Sequence, residues 1–263
     1  MIDRIIFGPL ARAVVETAGK TPLMVGDSLF AGSWRRLRAA FGSRNLAIDK
    51  SGWDWSMQAW LIEFFRVLLK HLNPGATAEW WTVVNARLDL LFKDAVFGFR
   101  DGTYIAQLLP GIMKSGCYIT IILNSLCQLA LHYGALLDLG LNPRLYKAPK
   151  CLGDDTTQAA QDLIERGYVA ALENLGCVVK EAEVHKDMEF AGFKITHEYI
   201  RPMYLAKHLF KLMYNSNLPE WLEQMQGLYA YRDDMLVLLR KVCLATRNAD
   251  RIRSKRFGLD ILG

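Results

Sequence analysis

The chain has 263 residues, 52 % of them hydrophobic and 22 % charged, with a formal net charge of +5. That balance excludes a disordered or low-complexity polypeptide, and the length allows a large core in one elaborate domain or two subdomains. The small excess of Lys and Arg permits a polyanionic partner without requiring one.

In chain order, Leu46, Ala47 and Ile48 read as a strand ending at Asp49. Met57, Trp60, Leu61, Phe64, Leu68 and Leu72 fall on one helical face, and Asn73-Pro74-Gly75 stops that helix. A second helix is expected over about 78–92. Residues 96–99 and 103–107 flank Arg100-Asp101-Gly102, a hairpin signal with an Asp-Gly turn. A long apolar helix runs from Tyr118 toward Leu139, where Gly140 can end it. Asn124, Ser125, Gln128 and His132 inside it favour a buried core helix, so no transmembrane segment is expected. A strand over 145–152 leads into Gly153-Asp154-Asp155. A helix over 158–175 follows, closed by Gly176, then short strands over 177–184 and 189–195. Beyond Pro219 the pattern is almost wholly helical, and Arg247, Arg251, Arg253, Lys255 and Arg256 read as an exposed basic tail. The cysteines at 117, 127, 151, 177 and 243 form no C-x-x-C pair. Reduced thiols in a cytosol-like compartment are expected, and no signal peptide opens the sequence.

The chemistry concentrates in three stretches. Asp154 and Asp155 repel each other, so folding gains nothing from their adjacency; alone, the tripeptide reads as a solvated turn. Asp49 alone reads as a helix N-cap or a loop carboxylate. Together, two strand-end carboxylates on neighbouring strands can hold two divalent cations for in-line phosphoryl transfer. Mg²⁺ suits such a site, because it takes a few carboxylates and completes its shell with phosphates and water. Upstream of the long helix, Ser115-Gly116 makes a flexible break. Thr120 and Asn124, four apart, share one helical face. They are either satisfied core polars or a polar stripe facing a ribose, where an amide can sense a 2′-hydroxyl.

Asp49-x4-Asp54, Ser115-Gly116-x3-Thr120-x3-Asn124 and Gly153-Asp154-Asp155, in that order, resemble motifs A, B and C of the RNA-dependent RNA polymerases of positive-strand RNA viruses. DKSGWDWSM and LPGIMKSGCYIT are similar in wording to the sobemovirus and luteovirus-like group. The flanks MIDRIIFGPL and TPLMVGDSLFAGSWRRLRAAF resemble segments preceding motif A there. GYVAALENLGCVVKE resembles motif D and EFAGFKI motif E, although Phe190-Ala191-Gly192-Phe193 stands where the group more often carries a cysteine-serine pair.

The resemblance implies an α+β fold: a right-hand polymerase palm of antiparallel sheet and packed helices, a helical thumb and incomplete fingers. Residues 1–45 would be partial fingers and the lead-in to the palm. Residues 46–200 would be the palm, with a fingers-type insertion over 73–110, and 201–263 the thumb. It implies Asp49, Asp154 and Asp155 as metal ligands for Mg²⁺, with Mn²⁺ as substitute. Asp54, Ser115, Gly116, Thr120 and Asn124 would form the substrate site, with Asp54 and Asn124 reading the ribose. Lys180, with Lys186 as the other candidate, would be the general acid for the departing pyrophosphate. The partners implied are RNA template and nascent strand, nucleoside triphosphates and other viral replication proteins, in the host cytoplasm.

Reverse transcriptases share the metal carboxylates but usually lack counterparts of Asp54 and Asn124. A truncated palm acting only as an RNA-binding scaffold is the non-enzymatic alternative. The basic motif F that neutralises the incoming triphosphate has no counterpart ahead of Asp49, so the chain is expected to begin after it, and to bind RNA weakly and salt-dependently.

Overall fold

A computed structural model describes residues 1–263. The helices are α1 (Ile2–Glu16), α2 (Ser33–Phe41), α3 (Trp53–Ser56), α4 (Ala59–Leu72), α5 (Ala78–Phe92), α6 (Thr120–Asp138), α7 (Tyr168–Asn174), α8 (Leu205–Tyr214), α9 (Leu218–Leu228), α10 (Asp233–Ala245) and α11 (Lys255–Leu262). The strands are β1 (Asn45–Lys50), β2 (Val96–Gly98), β3 (Tyr104–Ala106), β4 (Lys150–Leu152), β5 (Asp155–Ala159), β6 (Val179–His185), β7 (Met188–Phe190), β8 (Phe193–Ile195) and β9 (Ile200–Pro202). Two compact units result, one of Met1–Asp27 with Leu46–Val184, the other of Ser28–Asn45 with His185–Gly263.

The first unit is built on a sheet of strand order β4-β5-β1-β6. Its core gathers Phe7 of α1, Leu61, Phe65 and Leu69 of α4, Val84 and Leu88 of α5, Leu123 and Leu131 of α6, and Leu172 of α7. Full burial of each such side chain contributes about 1.5–3 kcal/mol, so this cluster holds the helices to the sheet. Helix α5 occupies the expected 78–92, its start fixed by Thr77, whose hydroxyl accepts from the Trp80 N–H at 3.2 Å. The buried face of α4 is Leu61, Ile62, Phe65 and Leu69, rotated from the face expected; Leu72 is exposed. Neighbours α5 and α6 select that stripe over the adjacent one, which is nearly as apolar.

Helix α6 is long and apolar enough to cross a membrane by length and composition, and 67 % of that apolar window is buried in the protein. It is buried on most sides, which explains its near-continuous apolar sequence. Three of its interior polar residues are tied to neighbours, whereas Gln128 Nε2 and His132 Nε2 are buried without a hydrogen-bond partner. Asn124 meets Trp53, Ser125 meets the Gly153 N–H, and His132 Nδ1 lies 2.8 Å from the Tyr168 hydroxyl.

Burial pulls the His132 imidazole from its ordinary 6.5 down to about 4. The unfolded chain therefore takes up a proton below pH 6.5 that the folded chain refuses until about pH 4. Stability is full above pH 6.5 and declines as the pH falls from 6.5 to 4. Between pH 7 and 4.5 this group should remove about 2–3 kcal/mol. Denaturant titrations at the two pH values should show His132→Leu losing less stability on acidification than the wild type. An equal loss would mean that the imidazole is not held neutral.

Three segments differ from the sequence expectation. Residues 158 and 159, expected to open a helix, instead complete strand β5, whose first part pairs antiparallel with β4, Thr157 opposite Lys150 and Asp155 opposite Leu152. The helix begins only at Tyr168, after Gly167 at φ +84°. The strand expected over 145–152 shortens to β4 because Pro143–Leu145 forms a 3₁₀ turn, with Asn142 accepting from the Arg144 N–H. The strand expected over 189–195 is a hairpin, β7 to β8, turning at Ala191 (φ +51°) and Gly192 (φ +77°). The hairpin at 96–106 forms as expected, Phe97 opposite Ile105.

The second unit combines the antiparallel sheet β7-β8-β9 with α2 and α8–α11. Leu222, Tyr229, Leu239 and Cys243 form a separate helical core. Trp34 is fully buried and its indole N–H donates to the Leu262 carbonyl at 2.9 Å, locking the end of α11. The basic segment is folded and is not a free tail. Arg251 and Arg253 both pair with Glu223, at 3.0 and 2.6 Å, and Lys255 pairs with Asp233 at 2.8 Å. Those bonds hold the Glu223 carboxyl below its usual range. All five cysteines are free thiols.

Candidate active site

Strand alternation sets the first carboxylate. Leu46 is buried and Ile48 packs against the core, so Asp49 points to the opposite face and is exposed. Lys50, next on the core side, is half-buried. Burial pulls its ammonium below the ordinary lysine value, with the nearby Cys177, Cys151, Asp154 and Asp155 acting against that shift.

The second and third carboxylates come from the β4–β5 turn. Leu152 pairs with Asp155, so Gly153 and Asp154 are the two loop residues, and Gly153 takes φ +66° as such a tight turn requires. The turn is anchored from both sides. Beneath it, the Gly153 N–H donates to Ser125 Oγ at 2.8 Å, and that hydroxyl donates to the Ile121 carbonyl at 2.7 Å. Alongside, Cys151 N–H donates to the Pro22 carbonyl and Met24 N–H to the Cys151 carbonyl, at 3.0 and 2.8 Å. Asp154 is thus presented to solvent on a braced turn.

Crowding around the Asp155 carboxyl, then the charge of Asp154, pushes Asp155 above its usual range; Lys50 lowers it and Asp49 raises it. The carboxylates and Lys50 therefore act on one another electrostatically. A second ammonium joins them: Lys180, on β6, places Nζ 3.1 Å from Asp49 Oδ2. That hydrogen bond raises the Lys180 ammonium above its ordinary value, so it stays protonated.

Three or more Asp, Glu, His or Cys groups do not converge into a closed metal cage. The aspartates form an open, all-oxygen edge with one ammonium already drawn to it. That donor set fits Mg²⁺, which accepts few protein carboxylates and keeps places for phosphate and water.

The segment after β1 carries a second polar cluster. Gly52 (φ +56°) turns the chain from β1 into α3, where Trp53 is buried and Asp54 half-buried. Asp54 accepts a hydrogen bond from the Ser115 hydroxyl. The 111–116 loop runs against this segment: Met113 N–H donates to the Asp54 carbonyl at 2.7 Å, Ile112 N–H to Met57 at 3.2 Å. The loop is wound through positive φ at Gly111 (+115°), Ile112 (+54°) and Gly116 (+91°). For a β-branched residue such as Ile112 that conformation stores about 1–3 kcal/mol, which the surrounding bonds must hold in place.

The structure brings Asp49, Asp154, Asp155 and Lys180 to one end of the sheet, and joins Asp54 to Ser115. It turns Thr120 elsewhere: its hydroxyl donates to the Lys114 carbonyl at 2.7 Å, closing the loop at the start of α6. Asn124 is buried, with Oδ1 engaged by Trp53. Sequence reasoning left Lys50, Trp53 and Ser125 without a role at the site. Lys50 was discoverable from strand alternation, and Trp53 from the rule that a buried indole N–H needs a partner. Nothing local pointed Ser125 at Gly153.

A family model described as viral RNA-dependent RNA polymerase matches residues 1–189. Over 191 residues the chain is 27 % identical to the replicase polyprotein P2AB of Cocksfoot mottle virus, covering 70 % of this chain and 18 % of that protein. It is 28 % identical over 170 residues to protein P1-P2 of Potato leafroll virus, covering 64 % and 14 %. With the replicase polyprotein P2AB of Southern bean mosaic virus it shares 33 % identity over 123 residues, covering 46 % and 11 %. The chain therefore spans less than a fifth of the length of these relatives. An insertion-loop deletion mutant of the RNA-dependent RNA polymerase of a human picobirnavirus superposes with a TM-score of 0.64 at 14 % identity, over 95 % of this chain and 51 % of that one, which supports the α+β polymerase palm fold. From the family match over residues 1–189, this chain belongs to the viral RNA-dependent RNA polymerases.

Proposed function

We propose that this chain carries the catalytic centre of template-directed RNA synthesis, adding ribonucleotides to an RNA 3′-hydroxyl in viral genome replication by a two-metal mechanism. The observation that carries the reading is that Asp49 near the end of β1 and Asp154 and Asp155 at the β4–β5 turn belong to one sheet, with Asp54 just after β1 joined to Ser115. In the reaction the 3′-oxygen bonds to the α-phosphorus, the bond to the β-phosphate oxygen breaks, and pyrophosphate leaves. Mg²⁺, or Mn²⁺ in its place, would be held by Asp49 and Asp154 with Asp155 in support, and would activate the hydroxyl and neutralise phosphate charge. Lys180, with Lys186 as the other candidate, would give its proton to the departing pyrophosphate. Asp54 and Asn124 would hold the ribose 2′-hydroxyl, with Ser115, Gly116 and Thr120 shaping the loop around it.

On this reading residues 46–200 act as palm with a fingers-type insertion over 73–110, 201–263 as thumb, and 1–45 as the lead-in. The partners would be RNA template and nascent strand, nucleoside triphosphates and other viral replication proteins, in the host cytoplasm. The test is sugar choice in primer extension. A site built to bond a hydroxyl rejects the analogue that lacks it, because its own polar atoms stay unpaired. Asn124→Ala should narrow the preference for ribonucleotides over deoxyribonucleotides by about tenfold or more. An unchanged ratio would return Asn124 to the role of a satisfied core amide.

A further inference from the structure

Asn124 is buried on the long helix α6, and an amide there serves a ligand only if the correct end faces it. The two ends of a carboxamide have nearly the same shape and opposite chemistry: one accepts, the other donates twice. Trp53 decides between them. Its indole N–H, 2.8 Å from Asn124 Oδ1 in a buried contact, is a donor with no acceptor capacity, so only the amide oxygen can face it. With the oxygen turned to Trp53, the other end of the carboxamide, the one presented away from it, is the donating NH₂.

The neighbouring residue makes that choice matter. Asp54 follows Trp53 on the same four-residue helix, and its carboxylate only accepts. A hydroxyl that donates to Asp54 can still accept, and the NH₂ of Asn124 supplies the matching donor. With the amide reversed, two acceptors would compete for one hydroxyl proton. The short helix thus carries one member of the sensing pair and the clamp that orients the other. Trp53 is itself held: it is 5 % exposed, and the turn before it is set by Gly52 at φ +56°.

We propose that Trp53 is a positioning residue for sugar selection, acting through Asn124 and making no contact with substrate. This rests on the proposed reading of Asp54 and Asn124 as the ribose sensor. Trp53→Phe keeps an aromatic ring in the buried position and removes the N–H. It should lower the ratio of kcat/KM for ATP over 2′-deoxy-ATP by about tenfold, the scale of one buried donor lost. If Trp53 acts only through Asn124, the same substitution made in an Asn124→Ala background should change the ratio no further.

The experiment compares wild type, Trp53→Phe, Asn124→Ala and the double variant of the full chain in single-nucleotide extension of a primed RNA. The Kd ratio for the two nucleotides in Mg²⁺ is measured alongside, as a readout that does not need turnover. Should Trp53→Phe fail to fold, benzothienylalanine at position 53 removes the N–H while preserving the bicyclic shape. A fall in the single variant that vanishes in the double variant supports the inference. An unchanged ratio on altering Trp53, with Asn124→Ala still lowering it, overturns the clamp and leaves the ribose sensor standing. Equal falls in both backgrounds overturn action through Asn124. No change in any variant removes the sensor itself.

Discussion

Asp49→Asn or Asp154→Asn should abolish Mg²⁺-dependent nucleotide addition, a loss on the order of 10³-fold or more, while leaving the fold intact. Both side chains are solvent-exposed, so the substitution disturbs little packing. Asp49 pairs with Lys180, an ion pair whose side chains are 56 % and 66 % exposed and which solvent therefore screens to a minor contribution. The same substitutions remove an anionic oxygen where the reaction gathers its largest charges, and several kcal/mol of barrier follow from that. Thermal unfolding and steady-state extension measured on the same preparations separate the two effects. Near wild-type turnover in both variants would mean that the chemistry lies elsewhere.

Gly111→Ala should destabilise the first unit by about 3 kcal/mol or more, summing backbone strain with forced overpacking. Gly111 has φ +115°, and a Cβ placed on it would lie 2.3 Å from the Met57 carbonyl oxygen. That carbonyl also accepts the Ile112 N–H, so the clash strikes the seam joining the 111–116 loop to α3. Gly116 provides the contrast: it has φ +91° but open space around it, so Gly116→Ala should incur about 1–2 kcal/mol of conformational strain alone. Denaturant midpoints of the two variants check the ordering. Equal losses would show that the loop does not press against Met57.

The parts of this site legible in the sequence are those fixed by local rules. Asp49 stands at the end of a strand, and Gly153-Asp154 forms a tight turn because two-residue loops need such chemistry. What could not be read depends on residues far apart in the chain. Trp53 finds Asn124 across 71 positions, and Gly153 finds Ser125 across 28. Residues 158–164 carry a helix-like apolar pattern, but the place of β5 between β4 and β1 claims 155–159 as strand, and the helix then starts only after Gly167. Thr120 and Asn124 share a helical face as spacing required, yet only packing shows that Thr120 spends its hydroxyl on the Lys114 carbonyl.

The most direct measurement is addition of a single labelled ribonucleotide to a primed RNA whose next template base is varied through all four, in Mg²⁺, with Asp154→Asn as the background. Template-directed synthesis at the Asp49–Asp154 edge predicts that only the complementary ribonucleotide is added, that pyrophosphate appears in equal amount, and that the Asp154 variant gives neither. Addition that ignores the template base, or that is no greater than in the Asp154 variant, would contradict it.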